Sequence, residues 1–461
     1  MGTEMLRGTR GTVVWRGSDA YERTRRAMLW NAWKPERFPE LIVTVASRDD
    51  VVRAVRFARA RGLRVAVRGG GHNWWGSPLR DGGMLVDLSG LRDVVINPAA
   101  RTARLSPVVS NRRLAAALAE HGLAFPAGHC GQVVVSGYLL AGGFGWNTRV
   151  WGPACHSVRE IDVVTADGEL VYANERDNAE LFWAARGAGP GFFGVVTSYL
   201  VDVYPLPRAL TTSTYVYSLA DAEEVAGWAS DLGDRLPPMV EPSFLLAAAP
   251  PGVTAEQPGK VAIVTAAAFA DSTDAAVEAL APLDRCPAAG RALQAQVAVP
   301  STFDGLFDAA ATFWPEGRRY AADTAWSNAE LGDVVSRLRE PILAAPARES
   351  VILATLSPEL RDVDPAADTA FSVAGRTLLD CYAVWQERAD DAANRAWLRE
   401  TMAALEPVTV GHYVGEADLT AEPERARRCY TEQNWQRLQA LRARFDPDGL
   451  FHTYPDGVAP R

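Results

Sequence analysis

The sequence predicts an α+β protein of two or three domains, and three observations carry that reading. The length of 461 residues exceeds one ordinary domain of roughly 100–200 residues. The first two hundred residues alternate short apolar runs with amphipathic ones. At Tyr204-Pro205-Leu206-Pro207 prolines then interrupt the strand pattern, as they do at a boundary.

The chain opens as β-α-β. Residues 20–30 carry a helical pattern. Pro39–Val45 reads as a strand, and Ser47-Arg48-Asp49-Asp50 starts a helix that Gly62 ends. The apolar run Leu63–Val67 is a buried strand, and Arg68-Gly69-Gly70-Gly71-His72 leaves its carboxyl end. Three consecutive glycines let successive N–H groups turn towards one anion such as a phosphate. Arg68 adds positive charge at the edge, and His72 offers a nucleophilic imidazole nitrogen. A plain glycine turn followed by a loop histidine is the competing reading.

Strands follow at Met84–Leu88, Val94–Asn97 and Arg101–Leu105, then a helix at Asn111–His121. A second glycine-dense region runs from Pro126 through Trp146, where backbone must approach backbone or ligand closely. Val158–Ala166, Glu169–Tyr172 and Val195–Val203 read as strands around a helix at Asp177–Ala185. Beyond the boundary, strands at Leu210–Tyr217, Val261–Phe269, Val351–Leu356 and Leu378–Trp385 alternate with helices at Asp274–Leu283, Asn328–Ala344 and Asp390–Leu405. A helix over Pro423–Arg444 closes the chain.

Composition excludes several classes. Net charge is −9 with 48% hydrophobic and 22% charged residues, so the chain reads as globular without a nucleic-acid footprint. No run approaches the ~18 apolar residues of a membrane span. Met1 to Gly17 lacks the apolar core of a signal peptide, and the expected location is cytoplasmic. The five cysteines form no CxxC pair, which argues against a disulfide framework and against a metal site.

Taken together, these segments resemble the FAD-linked oxidases of the vanillyl-alcohol-oxidase-like superfamily, in the berberine-bridge-enzyme-like branch. The resemblance rests on Arg68–His72, Asp87-Leu88-Ser89, Gly128-His129-Cys130-Gly131-Gln132-Val133, Gly142-Gly143-Phe144-Gly145, Asp177–Arg186 and Phe193–Thr197. Near the end, Asn434-Trp435, Arg437-Leu438, Phe445-Asp446-Pro447 and Phe451 continue it. It spans nearly the whole chain in order.

The resemblance implies a PCMH-type FAD-binding domain of two α/β subdomains, residues 1–205 with 405–461. An α/β substrate-binding domain with a mainly antiparallel sheet, residues 206–404, is inserted between them. It implies covalent FAD, joined through His72 and Cys130. The cofactor residues it implies are Arg68, Gly69, Gly70, Gly71, His72, Asn73, Gly76, Gly128, Cys130, Val133, Gly137, Gly142, Gly143, Gly145, Trp146, Val195 and Asn434. The alternative for Cys130 is a small buried hydrophobe.

In the family a tyrosine opening a Tyr-x-Asn segment is commonly the base, and Tyr413 stands there. Gly415 replaces the asparagine and Glu416 the aromatic that follows. An unperturbed tyrosine is a poor base at neutral pH, so the site must favour its phenolate by hydrogen bonds or positive charge. His412 is the alternative, but strand neighbours point to opposite faces. Trp314, Tyr320, Tyr382 and Trp385 are candidates for the substrate wall, and at least one of Trp74 and Trp75 is expected to line the flavin or cleft.

The function implied is an oxidase. It removes a hydride from a carbinol of a sugar, glycosylated natural product or polyketide-like small molecule and passes electrons to O2. An oxidative cyclase or desaturase acting beside nitrogen or an arene, a dehydrogenase with another acceptor, and a non-catalytic flavin-binding protein are the rivals. A monomer or homodimer is expected, with no nucleic-acid or membrane partner.

Overall fold

A computed structural model describes residues 6, 8–255, 259–357, 368–422 and 424–455. The β-α-β opening forms a four-stranded sheet ordered Thr12–Trp15, Leu41–Thr44, Met84–Asp87, Val65–Arg68. Its last three strands are parallel and the first is antiparallel. The crossover helix Arg48–Arg61 begins where Ser47 accepts from the Asp50 N–H and stops at Gly62 with φ 61°, a left-handed cap that suits glycine. Its buried face, with Val51, Val55 and Phe57, covers Leu41, Val43 and Val86 of the sheet. The glycine loop therefore leaves the carboxyl end of a parallel strand, where open α/β sheets place ligands.

A five-stranded antiparallel sheet follows, ordered Val94–Asn97, Thr102–Leu105, Val195–Asp202, Val158–Val164, Leu170–Asn174. The third sheet has eight antiparallel strands, ordered Gln294–Pro300, Ala209–Ser218, Lys260–Ala270, Val240–Ala248, Val351–Leu356, Thr377–Trp385, Arg319–Ser327, Thr409–Gly411. One face carries the helices Ala222–Gly233, Leu331–Leu343 and Asp391–Leu405. The other turns towards the glycine loop, with Tyr320 and Tyr382 packed beside Trp30 and Trp74.

Several elements differ from the sequence reading, each for a local reason. The Val240–Ala248 strand contains Pro242, which argues against a central strand. The Gln294–Pro300 strand lies at a sheet edge with Val297 and Val299 exposed, so it lacks a buried face to read. Arg319–Ser327 is a strand rich in alanine, a weak strand former. The C-terminal helix begins at Glu432, because Thr431 caps it by accepting from the Asn434 N–H. Pro423, where that helix was expected to start, lies outside the described residues. Among the described residues no helix is long and apolar enough to cross a membrane.

Candidate active site

One cavity joins the glycine loop, the second glycine-dense region and the inner face of the eight-stranded sheet. At its first end the loop is held by contact. A Cβ placed on Gly69 would fall 2.1 Å from Ser136 Oγ, and one on Gly71 would fall 2.1 Å from the Met28 carbonyl. Gly71 also has φ 72°, so glycine is required there for both space and conformation. Arg68 braces the loop rather than offering free charge. Its guanidinium pairs with Asp87 at 2.9 Å and donates to the carbonyls of Met28 and Gly70.

His72 stacks on Trp30 with ring centroids 5.2 Å apart. Burial, and secondarily the Arg68 charge, lowers its pKa to about 4, so the imidazole is neutral at pH 7. Trp30 Nε1 donates to Gln132 Oε1 at 2.9 Å, which ties the loop to the Cys130 turn. Asn111 Nδ2 holds that turn by donating to the Cys130 carbonyl at 3.0 Å. The Cys130 thiol is half-buried and free. Burial raises its pKa, against N–H groups of Gln132 and Val133 that lower it.

The residues fit the ADP-bearing half of FAD in two ways. Ser136 Oγ is buried, lines the cavity against the glycine loop and has no partner among the described residues. His452 Nε2, also unpartnered, lines the same cavity. Buried polar atoms without partners are uncommon and call for a ligand group to satisfy them. Next to Ser136, Gly137 faces open space, with no atom within 4 Å of a Cβ built there.

The other end is acidic and aromatic. Glu416 Oε2 accepts from Tyr382 Oη at 2.7 Å and from Trp74 Nε1 at 3.0 Å. Asp380 lies two residues before Tyr382 on one strand, so both side chains share a face, and both line the cavity. Burial pushes the Asp380 carboxyl well above its ordinary range, and the Glu416 charge adds to the rise.

Tyr413 lines the cavity at 4% exposure. Its oxygen accepts from the Gly143 N–H at 3.2 Å, and its ring meets Phe144 edge-on. Gly415 leaves room for that ring, since a Cβ there would lie 2.7 Å from it. The electrostatics oppose the phenolate. Burial raises the Tyr413 pKa, and the Glu416, Cys155 and Asp380 charges raise it further, with only the Gly143 N–H acting the other way. The positive charge that a tyrosine base needs is therefore replaced by negative charge. His412 turns away from the cavity: its Nε2 accepts from Arg425 at 2.8 Å and its Nδ1 faces the Thr324 carbonyl.

Of the residues expected at the site, Arg68 through Asn73, Gly128, Cys130, Val133, Gly137, Gly145, Trp314, Tyr382 and Tyr413 line the cavity. Others lie behind it. Gly76 turns the chain with φ 71°. Gly142 and Gly143 form a left-handed turn that delivers the N–H to Tyr413. Trp146 packs edge-on against His129, and Val195 is fully buried among core residues. Asn434 donates to the Thr369 and Ala370 carbonyls.

Tyr320 has the right strand face but sits behind Trp30 and Trp74, with centroids 5.2 and 5.3 Å away. Trp385 is three residues from Tyr382, hence on the opposite face, where it packs under the helices and donates to Asp391. Trp74 lines the cavity, whereas Trp75 is buried between Arg37 and Arg80. Trp30, Ser136, Asp380 and His452 were not singled out from sequence, and Glu416 was noted only as replacing an aromatic. Asp380 had a usable signal, an acid inside the apolar run Leu378-Leu379-Asp380-Cys381-Tyr382, because buried acids are rare unless they serve a purpose.

Comparison with known proteins agrees with this geometry. Residues 39–174 match a family described as FAD binding domain. The FAD-linked oxidoreductase nodO of Hypoxylon pulicicidum is 29% identical over 94% of this chain and 95% of its own. The (R)-6-hydroxynicotine oxidase of Paenarthrobacter nicotinovorans is 36% identical over 47% and 46%. Among solved structures, 6-hydroxy-D-nicotine oxidase of Arthrobacter nicotinovorans superposes with a TM-score of 0.83 at 24% identity, covering 98% of each chain. Berberine bridge enzyme of Eschscholzia californica gives 0.85 at 18% identity, covering 100% of this chain and 99% of its own.

Proposed function

We propose that this chain, which matches an FAD binding domain and FAD-linked oxidoreductases along nearly its whole length, is an oxidase of a small molecule with covalently held FAD, of the vanillyl-alcohol-oxidase-like superfamily. The observation that carries this is the meeting of His72, Cys130 and the Glu416 carboxylate on one cavity. The FAD-binding domain is read as residues 1–205 with 405–461, and the substrate domain as 206–404. The Thr409–Gly411 strand pairs with the substrate-side sheet, so the two parts interlock there.

Bound FAD supplies the two-electron chemistry, accepting hydride from a carbon that bears oxygen or nitrogen and returning electrons to O2 as hydrogen peroxide. The chain's residues prepare for it. His72 is held neutral, the form in which its nitrogen is a nucleophile, and with Cys130 it provides two tethers. Gly69–Gly71 and Ser136 receive the phosphates. Glu416 takes the substrate proton in place of Tyr413, whose hydroxyl shapes the cavity wall beside Phe144.

The test is intact mass and in-gel flavin fluorescence on denatured protein. His72→Ala and Cys130→Ala should each keep the flavin through the other residue, and the double variant should release it. Denatured wild-type protein that carries no flavin would overturn the two-tether reading. Peroxide formed with each substrate turned over separates an oxidase from a dehydrogenase.

A further inference from the structure

The acidic end of the cavity is built for positive charge. Glu416 Oε2 is fixed by two neutral donors, Tyr382 Oη and Trp74 Nε1, which orient the carboxylate without neutralising it. Asp380 is 5% exposed, lines the same cavity, and its Oδ1 has no partner. Among the described residues neither carboxylate is ion-paired or has an unnamed partner. Glu416 is half-buried without a counter-charge, and an arriving cation would pair it.

Aromatic rings flank the carboxylates. Trp74 meets Tyr382 at 5.5 Å and Tyr382 meets Trp314 at 5.3 Å, while Trp326 lines the cavity beside Phe144. Ring faces attract cations, an effect that grows when water is excluded.

Resting on the reading above, we infer that the substrate is a small amine that enters as its cation, with the ammonium seated between Glu416, Asp380 and the Trp74–Tyr382 rings. Burial, with the Glu416 charge, raises the Asp380 carboxyl well above its ordinary range, which favours one negative charge over two at the pair. Glu416 then accepts the ammonium proton. An N–H bond breaks and an O–H bond forms, and the two charges cancel. The neutral amine remains with its lone pair beside the C–H bond to be oxidised.

The experiment titrates the flavin-loaded protein with benzyltrimethylammonium, benzylamine and benzyl alcohol, following flavin absorption and tryptophan emission. Both cations should bind at least about tenfold more tightly than the alcohol. Glu416→Gln should abolish that preference while the denatured protein still carries flavin. Equal or tighter binding of benzyl alcohol to wild-type protein overturns the inference without needing any variant. Because denatured mass reports FAD independently, a flavin-bearing protein that prefers the alcohol sinks only the amine assignment. Denatured protein without flavin sinks the covalent tethers, and native protein without flavin absorption sinks the oxidase reading itself.

Discussion

The two ends of the cavity are built by opposite means. At the glycine loop the backbone does the shaping: small residues, a strained turn at Gly71 and tight approaches to Ser136 and Met28. At the substrate end, side chains from distant segments do it: Trp74, Asp380, Tyr382 and Glu416. A backbone-shaped site tolerates almost no added atom and is coupled to folding. A side-chain site can change its ligand while the scaffold stands.

That contrast is sharpest at Arg68. Removing it by Arg68→Ala leaves Asp87, 3% exposed at its side chain, as an unpaired buried charge, and a loss of about 3–5 kcal/mol is expected. Chemical denaturation and flavin content should fall together; a stable, flavin-loaded variant would break the comparison. Next in size is Gly69→Ala, whose Cβ would clash with Ser136 Oγ, at about 1–3 kcal/mol as overpacking. Ser136→Ala in the same chain should recover part of that loss, which a double-mutant cycle measures.

At the other end, Tyr382→Phe removes one donor to Glu416. Stability should fall by only about 1–2 kcal/mol, while the affinity for cationic probes changes measurably in the same titration. A large stability loss with unchanged binding would reverse the contrast.

The last comparison is the pH dependence of folding. His72 is lowered to about 4, and His412 and His452 to about 3, all by burial first. Unfolded, each takes its proton near pH 6.5. Their contribution is therefore complete above pH 6.5 and is lost as pH falls towards 4 and 3. Asp323, raised to about 7 by burial, acts with the opposite sign, so the comparison is between variants. The melting temperature of His72→Ala should decline less between pH 6.5 and 4 than that of the wild type.

The glycine loop, the Cys130 turn and the crossover helix were legible because each is a contiguous run whose local chemistry dictates its shape. Ser47 and Gly62 bracket their helix in sequence as they do in space. Tyr413 was legible as a position but not as a base, because its ionisation depends on Glu416 and Asp380, the latter brought in from another strand. Trp385 and Tyr320 failed as wall residues for geometric reasons. One falls on the wrong strand face, and the other is screened by Trp30 and Trp74.

By itself, then, the amino-acid sequence determined the α+β fold, the FAD-binding scaffold and the glycine loop at a strand end, since backbone conformation follows from neighbours in the chain. Only the tertiary structure decided that Arg68 is spent on Asp87, that His72 is neutral, and that Glu416 and Asp380 share one aromatic-walled cavity. Charge and burial act through space, and residues from 19 to 342 positions apart set them.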